Sequence, residues 1–196
     1  MDRVQFSPLK ICYLGDYDCI IAVMKYSTIF FDLDDTLYDS QTGLWEAIRI
    51  RMSQYMQEYL GLPGDEIGEL RQKYYQTYGT TLRGLQIHHQ VDADEFLAYV
   101  HNLPLNEYLK PDPRVREMLL GIHKEKWIFT NADADHARRV LTYLKLADCF
   151  DGIVDIRAMQ FACKPEVMAY QKALEIAGNP LPQSCVMLYD SLANLE

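Results

Sequence analysis

The chain of 196 residues, 49% hydrophobic and 24% charged, has the balance of a globular protein and excludes a disordered, collagen-like or membrane-spanning polypeptide. Nineteen Lys and Arg against 28 Asp and Glu leave a net charge of −9, without the clustered basic footprint that nucleic acid or an anionic membrane requires. Its length suits one α/β domain with an inserted subdomain, and a small-molecule partner is expected, met by local positive charge if it is anionic.

In chain order, residues 19–24 form an apolar run too short for a signal peptide or a transmembrane helix, and Asp16 and Asp18 interrupt what precedes it. Met24 is an alternative start. Residues 1–23 then form an extension without an assigned role, or residues 19–23 an edge strand. Tyr26-Ser27-Thr28-Ile29-Phe30-Phe31 is a β-rich first strand. From 44 to about 102 the pattern is helical. Ile48, Met52, Tyr55 and Tyr59 share one face of the first helix, and Gly61, Pro63 and Gly64 stop it. Further helices are expected over 66–78, 81–90 and 92–102, the last capped by Asp92. Beyond Pro111 and Pro113 the reading is helix 114–123, strand 126–130, helix 134–145, strand 152–156, helix 166–177 and strand 185–189. Ala137, Val140, Leu141 and Leu144 make an apolar stripe, as do Val167, Tyr170, Leu174 and Ala177 in the next helix, closed by Gly178. Such alternation predicts an α/β fold: a Rossmann-like parallel sheet with helices on both faces. The five cysteines are scattered, with no C-x-x-C pair, and read as free thiols in a reducing compartment, which makes a cytoplasmic location the expectation.

In open parallel sheets ligands sit beyond the carboxyl ends of the strands. The polar residues there are Asp32, Asp34 and Thr36 after the first strand, Thr130 and Asn131 after the second, Lys164 after the third and Asp190 after the fourth. An isolated D-x-D is weak evidence, because acidic pairs are common in solvated turns; the apolar strand leading into it, and the Thr, Lys and Asp behind later strands, give it weight.

Asp32-Leu33-Asp34-Asp35-Thr36, Thr130, Lys164-Pro165 and Asp190-Ser191 resemble the four motifs of the haloacid dehalogenase superfamily. The segments Tyr78-Gly79-Thr80-Thr81-Leu82-Arg83-Gly84-Leu85, Phe129-Thr130-Asn131-Ala132-Asp133 and Asp148-Cys149-Phe150-Asp151 are similar to its pyrimidine 5′-nucleotidase branch. The resemblance implies a catalytic core of residues 24–40 and 109–196, C-terminally incomplete, with a helical C1-type cap inserted at 41–108. It implies Asp32 as nucleophile, forming an aspartyl-phosphate, and Asp34 as general acid and base. Leu33, Thr130, Asn131 and Lys164 would bind phosphate, and Asp32, Asp34 and Asp190 would hold Mg²⁺. A second carboxylate favours a phosphatase over a dehalogenase, since a halide leaves without a proton. The chain departs from the branch at Tyr189, where an Asp is common, and from the wider motif at Asn194.

The cap should choose the substrate. Thr80, Thr81 and Arg83 lie in a Gly-containing turn and are the expected substrate-facing residues. Tyr74, Tyr75, Tyr78, His88, His89 and His101 are mostly packing residues, with His88 and His89 too close in sequence to pair on one face. The expected function is Mg²⁺-dependent hydrolysis of pyrimidine nucleoside 5′-monophosphates such as UMP or CMP. The alternatives are a sugar-phosphate phosphatase and a catalytically weakened binding or regulatory module.

Overall fold

The computed structural model describes residues 26–189. The readings that fall on the N-terminal 23 residues, Met24, Cys12, Cys19, Asp190, Ser191, Asn194 and the C-terminal end lie outside the described residues.

Among the described residues four strands form one parallel sheet: β1 (Thr28–Phe31), β2 (Glu125–Phe129), β3 (Gly152–Val154) and β4 (Cys185–Leu188), in the spatial order β3-β2-β1-β4. Each strand falls within a residue or two of its expected place. The chain first steps from β1 outward to β2 and β3, then returns across the sheet to β4. Since such crossovers are right-handed, that reversal sends α7 (Val167–Ile176) to the face opposite α5 (Pro113–Gly121) and α6 (Ala134–Leu144). Side-chain contacts agree: Phe129 meets Phe30 and Tyr170 of α7 on one face, while Phe31 turns to Phe150 on the other. The reversal point lies between β1 and β4, where the carboxyl ends of neighbouring strands open a crevice.

Between β1 and β2 stand α1 (Leu44–Leu60), α2 (Gly64–Tyr78), α3 (Thr81–His89) and α4 (Ala93–His101). Asp92 caps α4 as expected, its carboxylate accepting from the amides of Asp94 and Glu95. Gly61 ends α1 at φ 65°, in the left-handed region open to glycine. Pro63 and Gly64, expected to help stop α1, instead start α2 as its N-cap and first residue.

Two expected helix faces are displaced. On α1 the buried residues are Leu44, Ile48, Tyr55 and Met56, whereas Tyr59 is 54% exposed and lies stacked over Tyr55. On α7 the buried residues are Ala169 and Ala173, while Val167 is exposed and Tyr170 and Leu174 are partly buried; Ala177, expected on the stripe, is buried just past the helix end. The α6 stripe of Ala137, Val140, Leu141 and Leu144 is buried throughout. Cys149, Cys163 and Cys185 are buried free thiols, and no described helix is long and apolar enough to cross a membrane.

Candidate active site

The strand that carries the first motif ends at Phe31. The Asp32 amide still donates to the Leu188 carbonyl of β4 (3.0 Å), and the chain then folds over, with the Leu37 amide donating to the Leu33 carbonyl (3.1 Å) and Asp35 at φ 58°. Aspartate tolerates that left-handed conformation better than most residues. Leu33 is buried in the core while Asp32 and Asp34 both line a cavity of about 750 Å³ between the sheet edge and the helices α1–α4. The alternation expected of a continuing strand is thus reached by a turn.

Lys164 is only 2% exposed, so a solvated loop lysine is ruled out. Its Nζ lies 2.7 Å from Asp32 Oδ1, donates to the Phe129 carbonyl (2.7 Å) and sits 4.7 Å from the centroid of the Tyr189 ring. Asn131 clamps the loop that carries it: Oδ1 accepts from the Lys164 amide (2.9 Å) and Nδ2 donates to the Lys164 carbonyl (3.2 Å). The Leu33 amide donates to Asp32 Oδ1 (2.8 Å). Leu33 does not itself line the cavity, and in this form its amide and the Asn131 side chain serve Asp32 and Lys164. Thr130 lines the cavity, buried, its hydroxyl oxygen accepting from the Ala132 amide (3.0 Å). Burial pushes the Asp32 carboxyl up and Lys164 pulls it back, leaving it at about 6.

Asp34 Oδ1 accepts from the Tyr38 hydroxyl (2.6 Å) and lies 3.2 Å from His136 Nε2. Burial raises the Asp34 carboxyl, but His136 and the bonds from His136 and Tyr38 outweigh it and hold Asp34 below the usual carboxylate range. The His136 ring stacks on His101 of α4, with centroids 4.1 Å apart and planes 21° apart. His101 Nδ1 in turn meets Asp133 Oδ2 (2.5 Å), and Asp133 Oδ1 caps α6 by accepting from the amides of Asp135 and His136. Burial and then His136 push His101 below its usual value, which fits a neutral imidazole donating from Nδ1 to ionised Asp133. His136 Nε2 carries a hydrogen toward the Asp34 carboxylate, while its Nδ1 is buried without a partner among the described residues.

Sequence reasoning missed most of this array. It counted His101 only among cap aromatics and did not single out Tyr38 or His136. Two local signals were present: Tyr38 stands four residues after Asp34 in the turn that follows β1, and Asp133 is a helix cap with His136 three residues on.

On the cap side, Thr80 and Thr81 line the cavity and Arg83 does not. Arg83 lies in the first turn of α3, capped by Thr80, and its guanidinium donates to the Phe161 carbonyl (2.6 Å) and reaches Glu166 (4.0 Å). The cavity-lining residues of the cap also include Trp45, Arg49, Arg71 and Tyr75. His88 and His89 are engaged by Tyr78 and Tyr74 in aromatic packing, away from the cavity. Among the described residues no group of three His, Cys, Asp or Glu forms a metal site. Asp32 and Asp34 supply two carboxylates to the cavity, and the third expected donor, Asp190, is outside the described residues.

A family model for haloacid dehalogenase-like hydrolases matches residues 26–196. The chain is 35% identical over 158 residues to phosphate metabolism protein 8 of Saccharomyces cerevisiae, covering 74% of this chain and 49% of that protein, so it spans about half the yeast protein's length. It is 30% identical over 183 residues to glyceraldehyde 3-phosphate phosphatase of Pyrococcus furiosus, covering 86% of this chain and 74% of that one. Among solved structures, a HAD phosphatase from Thermococcus onnurineus superposes with a TM-score of 0.55 at 19% identity, over 86% of this chain and 79% of that one. At that identity the likeness shows the fold alone.

Proposed function

Because the chain belongs to the haloacid dehalogenase-like hydrolase family, we propose that it hydrolyses small phosphate monoesters through a phosphoryl group carried on Asp32. The observation that carries this reading is the pairing of Asp32 with buried Lys164 at the edge of the same cavity that Asp34 lines. Residues 24–40 and 109–196 act as the catalytic core, and residues 41–108 as the cap that closes over the substrate.

A carboxylate oxygen of Asp32 attacks phosphorus, the ester P–O bond breaks, and Asp34 gives its proton to the leaving oxygen. Water then attacks the phosphorus of the aspartyl-phosphate, Asp34 takes the water's proton, and phosphate leaves with Asp32 restored. The resting site holds Asp34 ionised, which suits the second step; a substrate dianion beside it acts the other way and favours the proton needed in the first. Tyr38 and His136 fix the direction in which Asp34 presents its carboxylate. Lys164 neutralises charge beside Asp32, while Thr130 and the Asn131 amide receive the outer phosphate oxygens.

The donor set fits Mg²⁺, which takes hard oxygen ligands: Asp32, Asp34 and Asp190 would hold it. When bound, it would offset the charge of the phosphate against the two carboxylates. Pyrimidine nucleoside 5′-monophosphates are the leading substrates, on the likeness of the segments around Thr80, Asn131 and Cys149 to that branch. Sugar phosphates are the alternative, supported by the name of the Pyrococcus relative.

The test is phosphate release by the full chain from UMP, CMP, glyceraldehyde 3-phosphate and an aryl phosphate, with Mg²⁺ or with chelator. Release that needs Mg²⁺ and disappears in Asp32→Asn is expected. Undiminished release by Asp32→Asn, in protein free of contaminating phosphatase, would overturn the mechanism.

A further inference from the structure

Asp32, Asp34, Thr130 and Lys164 line the cavity from the sheet, and the cap helices supply another wall, α1 and α2 among them. Trp45, Arg49 and Met52 occupy one face of α1, at spacings of four and three residues, and Gly68, Arg71, Gln72 and Tyr75 one face of α2, at three, one and three. This wall therefore carries two guanidiniums in a chain whose net charge is −9.

The two arginines are not equally satisfied. Arg49 pairs with Glu46 on its own helix. Among the described residues Arg71 has one hydrogen-bond partner, the Ser53 hydroxyl, which accepts from a terminal nitrogen at 3.0 Å, and its Nε is buried without one. Arg71 lines the cavity with a single neutral partner on its terminal nitrogens, and the planar fork of arginine matches the geometry of carboxylate and phosphate. One turn before it, Gly68 interrupts the helix interior, where glycine is a poor helix former. A side chain there would meet nothing within 4 Å, so the glycine leaves open space beside Arg71. Trp45 and Tyr75 add aromatic faces to the same wall.

We propose that this wall of the cavity binds a second oxyanion of the substrate, a carboxylate or phosphate remote from the scissile group, through Arg71 with Arg49 beside it. The proposal rests on the reading of the Asp32 side as the phosphate site, and it adds a preference within phosphate monoesters: those with a second anionic group bind more tightly than the plain nucleoside monophosphates UMP and CMP. The flat or apolar middle of such a molecule lies along Trp45 and Tyr75. Arg71 is here a specificity residue and takes no part in bond breaking.

The test measures binding to the full-length Asp32→Asn protein in Mg²⁺, so that no turnover intrudes. The probes are UMP, orotidine 5′-monophosphate, which adds a carboxylate, and uridine 3′,5′-bisphosphate, which adds a phosphate. At least one doubly anionic probe is expected to bind roughly tenfold or more tighter than UMP, the scale of one charge-assisted hydrogen bond; which one identifies the oxyanion. The advantage should vanish on adding Arg71→Gln, survive in part with Arg71→Lys, and stay unchanged with Arg138→Gln, a surface control. Equal binding of all three probes overturns the proposal, as does an advantage that persists in Arg71→Gln with a normal thermal melt. Should Arg71→Gln not fold, Gly68→Leu, which fills the space beside Arg71, must abolish the advantage or the proposal fails. An Arg71-dependent preference in a protein that releases no phosphate under any condition would sink the phosphatase reading and leave the oxyanion site standing.

Discussion

At Asp32 two forces oppose each other: burial favours the neutral acid and Lys164, 2.7 Å away, favours the carboxylate. Burial wins, and the group rests at about 6 against an ordinary 3.8. A carboxyl raised in this way holds its proton more tightly folded than unfolded. Through this group alone, acidification from about pH 6 toward 4 therefore favours the folded protein, and the preference fades as pH rises through the folded value. Carbon-detected NMR of the metal-free protein should find the Asp32 midpoint near 6, and Lys164→Ala should move it higher still. A midpoint at or below 3.8 in the parent protein would show that Lys164 dominates instead. Asp32, Asp34 and Lys164 were legible because motif spacing marks them directly. His136 and His101 were not, since their stacking joins residues 35 positions apart on different helices and no local pattern encodes it.

The junction of α2 and α3 joins the cap to the loop that presents Lys164. Gly79, at φ 79°, closes α2 where an added Cβ would lie 2.4 Å from Cys163 Sγ, and Arg83 reaches the Phe161 carbonyl in the same loop. This placement changes what Arg83 should do. Its loss is expected to loosen the Lys164 loop and to lower kcat/KM for UMP and for a small aryl phosphate by the same factor. That factor is about fivefold, the equivalent of ~1 kcal/mol for a partly exposed tether. A loss confined to the nucleotide would instead return Arg83 to substrate recognition. Helices and strands were readable at this scale because Asp92, Gly61 and the α6 stripe carry strong local signals. The approach of α3 to α2 was not: a Cβ on Gly84 would lie 2.2 Å from Tyr74 Cγ, and only the folded pair reveals why glycine is needed there.

For the whole molecule, alternating strands and helices imply a parallel sheet, and Asp32, Asp34, Thr130, Asn131 and Lys164, behind the first three strands, converge on one cavity because the carboxyl ends share one edge. The order β3-β2-β1-β4 required the structure, since local patterning does not say on which side of β1 the last strand adds. That order sets Asp32 beside Tyr189, and it sets the Lys164 loop over Phe129, whose carbonyl accepts from Nζ. The account then stands on Asp32 carrying the phosphoryl group. Full-length protein mixed with Mg²⁺ and substrate, quenched in acid within one turnover and treated with borohydride, converts an acyl phosphate to the corresponding alcohol. Peptide mass spectrometry should find residue 32 reduced to homoserine, only when substrate is present and not in Asp32→Asn; reduction at another carboxylate, or at none while phosphate is still released, would contradict the account.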